Sequence, residues 1–182
     1  SLTCGKCEAC RSGRYNICQK LGFLGVGDDG AFADYVVVEA SRLFAIPEGV
    51  TQREAAVAEP LACGIHATKL LGDIKGKDVV VIGPGIIGLS AFFGAKYAGA
   101  GRILVSGIGD YRKELIEKYG GTYIDSSKVD LETYVAEWSN GNLMWFMSAS
   151  AQRRRWISPS GSASQAERSW SWAFSARSRW WI

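Results

Sequence analysis

Four of the five cysteines lie close together, as Cys4-x2-Cys7-x2-Cys10-x7-Cys18. Thiolates this dense in sequence can converge on one ion. Disulfides fit poorly, because the cysteine count is odd and two-residue gaps make strained bridges. An iron–sulfur cluster usually has a three-residue last gap followed by proline. Here the last gap is seven residues and Gln19 follows. Tetrahedral zinc held by Cys4, Cys7, Cys10 and Cys18 fits best. Four sulfurs leave no open position for substrate, so such a zinc is structural. Gly5 and Gly13 relieve the backbone where the chain curls around the ion. Reduced thiols point to a cytoplasmic setting. Cys63 stands alone in an apolar stretch and is expected to be a buried, inert thiol.

A second motif is Gly83-Pro84-Gly85-Ile86-Ile87-Gly88, a G-x-G-x-x-G run. Alone the pattern is weak. Here it follows a β-branched run, Val79-Val80-Val81-Ile82, and opens an Ala-rich helical stretch. That context gives it meaning. Gly83 permits the tight turn, Gly85 lets backbone approach a pyrophosphate, and Gly88 lets the helix pack against the strand. The helix N-terminus, starting at Ile86 and Ile87, offers unpaired N–H groups to the phosphates. The expected place for an acid on the adenosine ribose is Gly107, and the first acid after it is Asp110. Either Asp110 bends back to the ribose, giving NAD, or Arg112 or Lys113 pairs with a 2′-phosphate, giving NADP. Both readings stay open.

The elements that position these motifs follow from periodicity. After a turn-rich Gly22–Gly30 stretch, residues 31–38 and 43–46 read as strands. Thr51 opens a helix, with Glu54 three residues on as a capping box. That helix meets Pro60, and a second helical stretch runs through His66 to Leu71. From Asp78 onward strands and helices alternate: strands near 79–82, 102–106 and 122–125, and helices near 86–99, 111–119 and 128–139. This βαβαβα order is the first half of an α/β, doubly wound parallel sheet.

The chain has 182 residues and a formal charge of +3, with no apolar run long enough to span a bilayer and no signal segment. The mean hides a split. Residues 1–142 hold 15 Lys and Arg against 17 Asp and Glu, a net of −2. Residues 143–182 hold six Arg, no Lys and Glu167 alone, a net of +5. All seven Trp lie at or beyond Trp138.

Residues 4–142 resemble the zinc-dependent medium-chain alcohol dehydrogenases, in the polyol (sorbitol) and threonine dehydrogenase-like branch. The resemblance rests on Cys4-Gly5-Lys6-Cys7-Glu8-Ala9-Cys10 with Cys18, Gly30-Ala31-Phe32-Ala33-Asp34-Tyr35, Ala58-Glu59-Pro60-Leu61-Ala62-Cys63 and the glycine loop. It implies part of a GroES-like β-barrel catalytic domain with a zinc lobe over 1–59. A partial NAD(P)-binding Rossmann domain would follow over 60–142. It implies NAD- or NADP-linked hydride transfer from a secondary alcohol or polyol, with a second, catalytic zinc polarising the alcohol oxygen. Glu59 falls where the branch places a carboxylate that ligates this zinc directly or through water. His66 is expected to be structural or on the nicotinamide side. Small-molecule substrate, no membrane or nucleic-acid partner and a homo-oligomer in intact form complete the expectation.

Two departures stand beside it. The family's other catalytic-zinc ligands lie upstream of the cysteine lobe, so the chain is expected to be a fragment and inactive in isolation. From Leu143 the family would enter its fourth sheet strand, and an Arg/Ser/Trp mixture appears instead. A nucleic-acid tail, a membrane-surface segment and a disordered tail are alternatives. The codon table offers another. With a Leu143 codon ending in G, a start one base early turns Leu-Met-Trp-Phe into Asp-Val-Val. In the same frame, residues 164–174 can encode a Pro-Gly-Gly turn and a buried strand. Residues 143–182 therefore read as an aberrant tail translated out of frame, which sequencing the coding DNA decides.

Overall fold

A computed structural model describes residues 2–140 and 145–148. The chain divides into two compact units, Ser1–Glu48 and Gly49–Ile182.

The first unit is built around the cysteine loop. Helix α1 (Glu8–Arg11) and a 3-10 turn (Tyr15–Ile17) carry the chain around the sulfur cluster. Leu2 and Gly22 close the loop by exchanging backbone hydrogen bonds of 2.7 and 3.0 Å. Strands β1 (Phe23–Leu24) and β2 (Gly27–Asp28) form a tight turn. Residues 31–38 and 43–46 run as irregular chain instead of the expected strands. A strand needs a laddered neighbour, and none pairs with them among the described residues. Phe32, Tyr35, Val37 and Phe44 are exposed.

The second unit opens as the sequence implies. The Thr51 hydroxyl accepts from the Glu54 N–H at 3.2 Å, and the Glu54 carboxylate accepts from the Thr51 N–H at 2.9 Å. This capping box starts helix α2 (Gln52–Ala55). Helix α3 (Ala58–Leu70) runs straight through Pro60, whose place in the first turn needs no N–H donor. The compact units thus divide at 48/49, whereas the sequence placed a boundary at 59/60.

Then come β3 (Val79–Ile82), α4 (Ile86–Tyr97), β4 (Ile103–Gly107), α5 (Lys113–Lys118), β5 (Thr122–Asp125), α6 (Leu131–Ser139) and β6 (Trp145–Ser148). The strands are all parallel, in the order β5-β4-β3-β6. Residues 145–148 do add a fourth strand beside β3, where the family resemblance expected one. The rest of the 143–182 tail lies outside the described residues.

Both faces of this sheet are buried, because successive strand side chains point to opposite sides. Val79 and Val81 join Leu89, Phe92, Ala95, Val105 and Ile116 on one face, under α4 and α5. Val80 and Leu104 join Ile124, Leu131 and Val135 on the other, under α6. The crossover therefore changes face after β5. Strand order and helix placement together make a doubly wound sheet, whose ligand crevice lies outside the carboxyl ends of the strands near β3.

Candidate zinc lobe and dinucleotide site

The first unit brings all four expected sulfurs together. The Sγ atoms of Cys4, Cys7, Cys10 and Cys18 lie within 4.8 Å of one another. Cys4 and Cys10 are separated by 4.0 Å, and Cys7 and Cys18 by 3.9 Å. A zinc ion with tetrahedral Zn–S bonds has sulfur–sulfur edges of about 3.8 Å, which these two edges nearly match, and every other edge is at most 4.8 Å. Gly5 takes φ +69°, which allows the chain to fold back between the first two ligands.

Backbone N–H groups prepare the sulfurs for negative charge. The Cys7 N–H points at Cys4 Sγ (3.4 Å), and the Cys4 and Lys20 N–H groups at Cys18 Sγ (3.4 and 3.3 Å). Backbone donors from Gln19 and Cys10 pull the Cys7 thiol down to about 6. Desolvation pushes Cys10 up to about 12. Four thiols in one shell cannot all ionise without a cation, and that is what a metal supplies.

Glu59 sits in the first turn of α3 and is exposed. Cys63, one turn on, donates its thiol to Glu59 Oε1 at 3.9 Å. Cys63 is exposed rather than buried, correcting the expectation of a core thiol. The buried face of α3 is formed by Gly64 and Thr68, so Cys63 falls on another face. Partial desolvation, then the Glu59 charge, raise its thiol above the ordinary range. Among the described residues, the four cysteines are the one group of three or more potential ligands within metal-binding reach. The described residues do not assemble a second zinc site around Glu59. His66 lies seven residues beyond Glu59 on α3, also exposed.

In the second unit the glycine loop occupies the expected turn. Strand β3 ends at Ile82, and Gly83 turns the chain at φ +97°, a conformation that disfavours side chains. Its N–H is tied to the Ser106 carbonyl at 2.8 Å. Gly85 is the N-cap of the twelve-residue α4, and a Cβ built on it would meet nothing within 4 Å. Its backbone therefore borders open space at the head of the helix. Ile86 and Ile87 are partly exposed there, while Gly88 is buried.

That geometry yields a direct expectation. Gly85→Val projects two methyl groups into the space a pyrophosphate would fill, yet touches no protein atom at its Cβ. Coenzyme affinity should drop by on the order of a hundredfold. The melting temperature should move by only a few degrees, the cost of a poorer N-cap. Fluorescence titration with NADH and NADPH, beside a thermal melt, reads both. Unchanged affinity for both would place the phosphates elsewhere.

At the end of β4, Gly107 is fully buried. A Cβ there would strike the Tyr123 hydroxyl and come within 2.7 Å of Pro84 Cγ. No acid can occupy this position without displacing both. Asp110 lies out on the loop, largely exposed, and the Arg112 guanidinium sits 5.0 Å over the Tyr111 ring.

Sequence reasoning missed the groups that hold this loop. Tyr123 Oη donates to the Gly109 carbonyl at 2.5 Å. The Ser126 N–H and hydroxyl both donate to the Gly107 carbonyl, at 2.8 and 2.9 Å. Asp125 is 8% exposed, and its Oδ1 accepts from the Ser127 hydroxyl (2.7 Å) and N–H (3.0 Å). Those donors, the hydroxyl first, hold its carboxyl well below the usual carboxylate range. Lys128 Nζ lies 3.2 Å from Asp125 Oδ2 and 3.9 Å from Asp110 Oδ2. The local Asp-x-Ser turn was a readable signal for the Asp125 bonds. The reach of Lys128 to Asp110, across eighteen residues, was not.

Comparison with known proteins agrees with this geometry. Residues 1–48 match the family model described as alcohol dehydrogenase GroES-like domain. The chain is 39% identical over 142 residues to L-threonine 3-dehydrogenase of Pyrococcus horikoshii, covering 78% of this chain and 40% of that protein. It is 40% identical over 124 residues to sorbitol dehydrogenase of Bacillus subtilis, covering 68% of this chain and 35% of that one. Among solved structures, a protein assigned as a zinc-binding dehydrogenase of Sinorhizobium meliloti, bound to NADP, superposes with a TM-score of 0.75. The two are 31% identical, with 83% of this chain and 45% of that chain covered. The chain thus spans about 40% of the length of the curated relatives it matches. With the cysteine cluster, the glycine turn and the parallel sheet in one sequence order, the chain is similar, over part of their length, to the zinc-dependent medium-chain alcohol dehydrogenases of the polyol and threonine dehydrogenase branch.

Proposed function

We propose that the chain is part of a zinc-dependent, NAD(P)-linked oxidoreductase that transfers hydride between a secondary alcohol or polyol and nicotinamide. One observation carries the reading. The four-sulfur cluster and the open glycine turn at the head of α4 occur on one chain, each in the geometry its ligand needs. Cys4, Cys7, Cys10 and Cys18 hold a structural zinc, which supplies cross-linking of the lobe and no chemistry on substrate. Gly83, Gly85 and Gly88 shape the pyrophosphate turn, with the Ile86 and Ile87 end of α4 presenting its N–H groups. Gly107, Asp110 and Arg112 border the adenosine end. Glu59 is a carboxylate toward a catalytic zinc, an outer or exchangeable ligand. Among the described residues that zinc has no other ligand.

The domain organisation belongs to the same proposal: a catalytic-domain part over 1–59, a coenzyme-binding part over 60–142 and an out-of-frame tail over 143–182. A reducing, cytoplasmic setting suits a reduced cysteine cluster, and no helix among the described residues is long and apolar enough to cross a membrane. Assembly into a homo-oligomer is part of the reading for the full-length protein, with no nucleic-acid partner.

The isolation of Glu59 favours a second reading, a chain that binds zinc and nucleotide without turnover. Incubating the 182-residue chain with zinc, NAD or NADP, and L-threonine, sorbitol or butane-2,3-diol separates the two. Growth of reduced-nicotinamide absorbance with any substrate establishes the oxidoreductase and overturns the second reading. Coenzyme binding with no turnover establishes the binding-only reading for this chain.

A further inference from the structure

We propose that Lys128, on the loop after β5, is a coenzyme-specificity residue that makes the adenosine end of the crevice accept a 2′-phosphate. The proposal rests on the nucleotide-site reading above and names which nicotinamide coenzyme that site favours.

The first observation is a steric one. The end of the second strand is where an acid would take the ribose hydroxyls and repel a 2′-phosphate. Here that position is Gly107, and the Pro84 ring and Tyr123 hydroxyl fill the volume a side chain would need. The site is closed to an acid by packing, beyond being merely without one.

The second observation is the placement of Lys128. The loop from Gly107 to Asp110 is pinned to the end of β5 through Tyr123 and Ser126. This brings the residues after β5 against the coenzyme loop. Asp125 is the anchor of that corner. Its Oδ1 is satisfied by Ser127, and its Oδ2 faces Lys128 Nζ at 3.2 Å. The carboxylate is buried, so it holds the ammonium in place, while Lys128 itself remains 67% exposed. The contact with Asp125 Oδ2 is an ion pair by distance, and the ammonium keeps donors for a further anion. It also lies 3.9 Å from Asp110 Oδ2, the one acid on the loop. The charged groups of this corner are then Asp110, Arg112 and Lys113 from the β4–α5 side, and Asp125 and Lys128 from the β5 side. Lys128 is shared between Asp125 and Asp110, so these three cations exceed the two carboxylates by one, and without Lys128 the charges would only balance. A phosphate carrying close to two negative charges meets a cationic mouth.

The test is binding of each coenzyme to the full 182-residue chain, read by nucleotide fluorescence or calorimetry at fixed ionic strength. Lys128→Gln should weaken NADPH by roughly tenfold, the loss of one charge-assisted contact, and change NADH less than twofold. Asp110→Asn should tighten NADPH. Lys128→Arg keeps the charge on Asp125 and should retain NADPH affinity within about threefold, which separates loss of contact from loss of fold. Equal weakening of both coenzymes by Lys128→Gln, or unchanged NADPH binding, would overturn the proposal. Failure of the wild-type chain to bind either coenzyme would overturn the nucleotide site itself, and this assignment with it.

Discussion

Removal of zinc should unfold the cysteine lobe while the parallel sheet survives. The lobe has little else to hold it. In the first unit, the buried apolar positions are Ala9, Cys10 and Cys18, two of them proposed ligands. Helix α1 has four residues, and the backbone pairing that closes the loop is a single bridge between Leu2 and Gly22. Neither is stable alone in water. A four-sulfur zinc contributes about 10–16 kcal/mol of apparent binding energy at neutral pH, and in such a lobe binding energy is folding energy. The sheet owes nothing to the metal, since its two faces are closed by aliphatic and aromatic side chains. Chelator treatment should therefore erase hydrogen-exchange protection at residues 7–22 and leave residues 79–82 and 103–107 protected. Cys10→Ser and Cys18→Ser, at the two buried sulfurs, should do the same without chelator. Metal analysis should give one zinc per chain, falling toward zero in these variants. Full lobe protection after zinc loss would contradict the structural role.

Gly64→Val should destabilise the second unit by about 3 kcal/mol or more, lowering its melting temperature by roughly 10 °C. Gly64 is the contact point of α3 and α4. A Cβ there would run into the backbone of α4 at Ser90 and Ala91. Backbone cannot rotate aside as a side chain can, so the helices must separate. Gly94 makes the reciprocal contact, its Cβ position lying 2.7 Å from the Thr68 hydroxyl. That hydroxyl is spent on the Gly64 carbonyl at 2.9 Å, so the crossing is polar-satisfied as well as close. Helix α3 carries Glu59 and α4 begins at the glycine turn. The same substitution should therefore weaken coenzyme binding in the molecules that remain folded, because α4 moves with its N-terminus. Gly64→Ala should show a smaller loss on both counts. A Val variant that melts like wild type would mean the two helices are not packed this closely in solution.

Much of this was legible from the chain alone, for identifiable reasons. The cysteine spacing was readable because thiolate density within eighteen residues leaves few alternatives to one ion. The sheet was readable because a strand buried on both faces must be apolar at consecutive positions, and Val79–Ile82 is. Helix starts were legible at Gln52, after a capping box, and at Ile86, after the glycine turn. Thr51 and Glu54 marked α2, whereas Asp130, whose carboxylate accepts from the Thr133 N–H at 2.9 Å, moved the start of α6 to Leu131 from the expected 128. The strands expected at 31–38 and 43–46 failed because alternation of apolar residues reports a capacity to pair, and pairing needs a neighbour.

The sequence by itself determined the four-sulfur cluster, through ligand type and spacing, and the glycine turn, through Gly83 at a positive φ and Gly85 at the open head of α4. Both are local properties, written within eighteen and six residues respectively. Tertiary structure alone decided that Gly107 is closed to an acid by Pro84 and Tyr123, that Lys128 reaches Asp110, and that Gly64 bears on α4. Each of these joins residues that are distant in the chain. Parallel strands and the helices between them bring such residues together only after the whole sheet has closed.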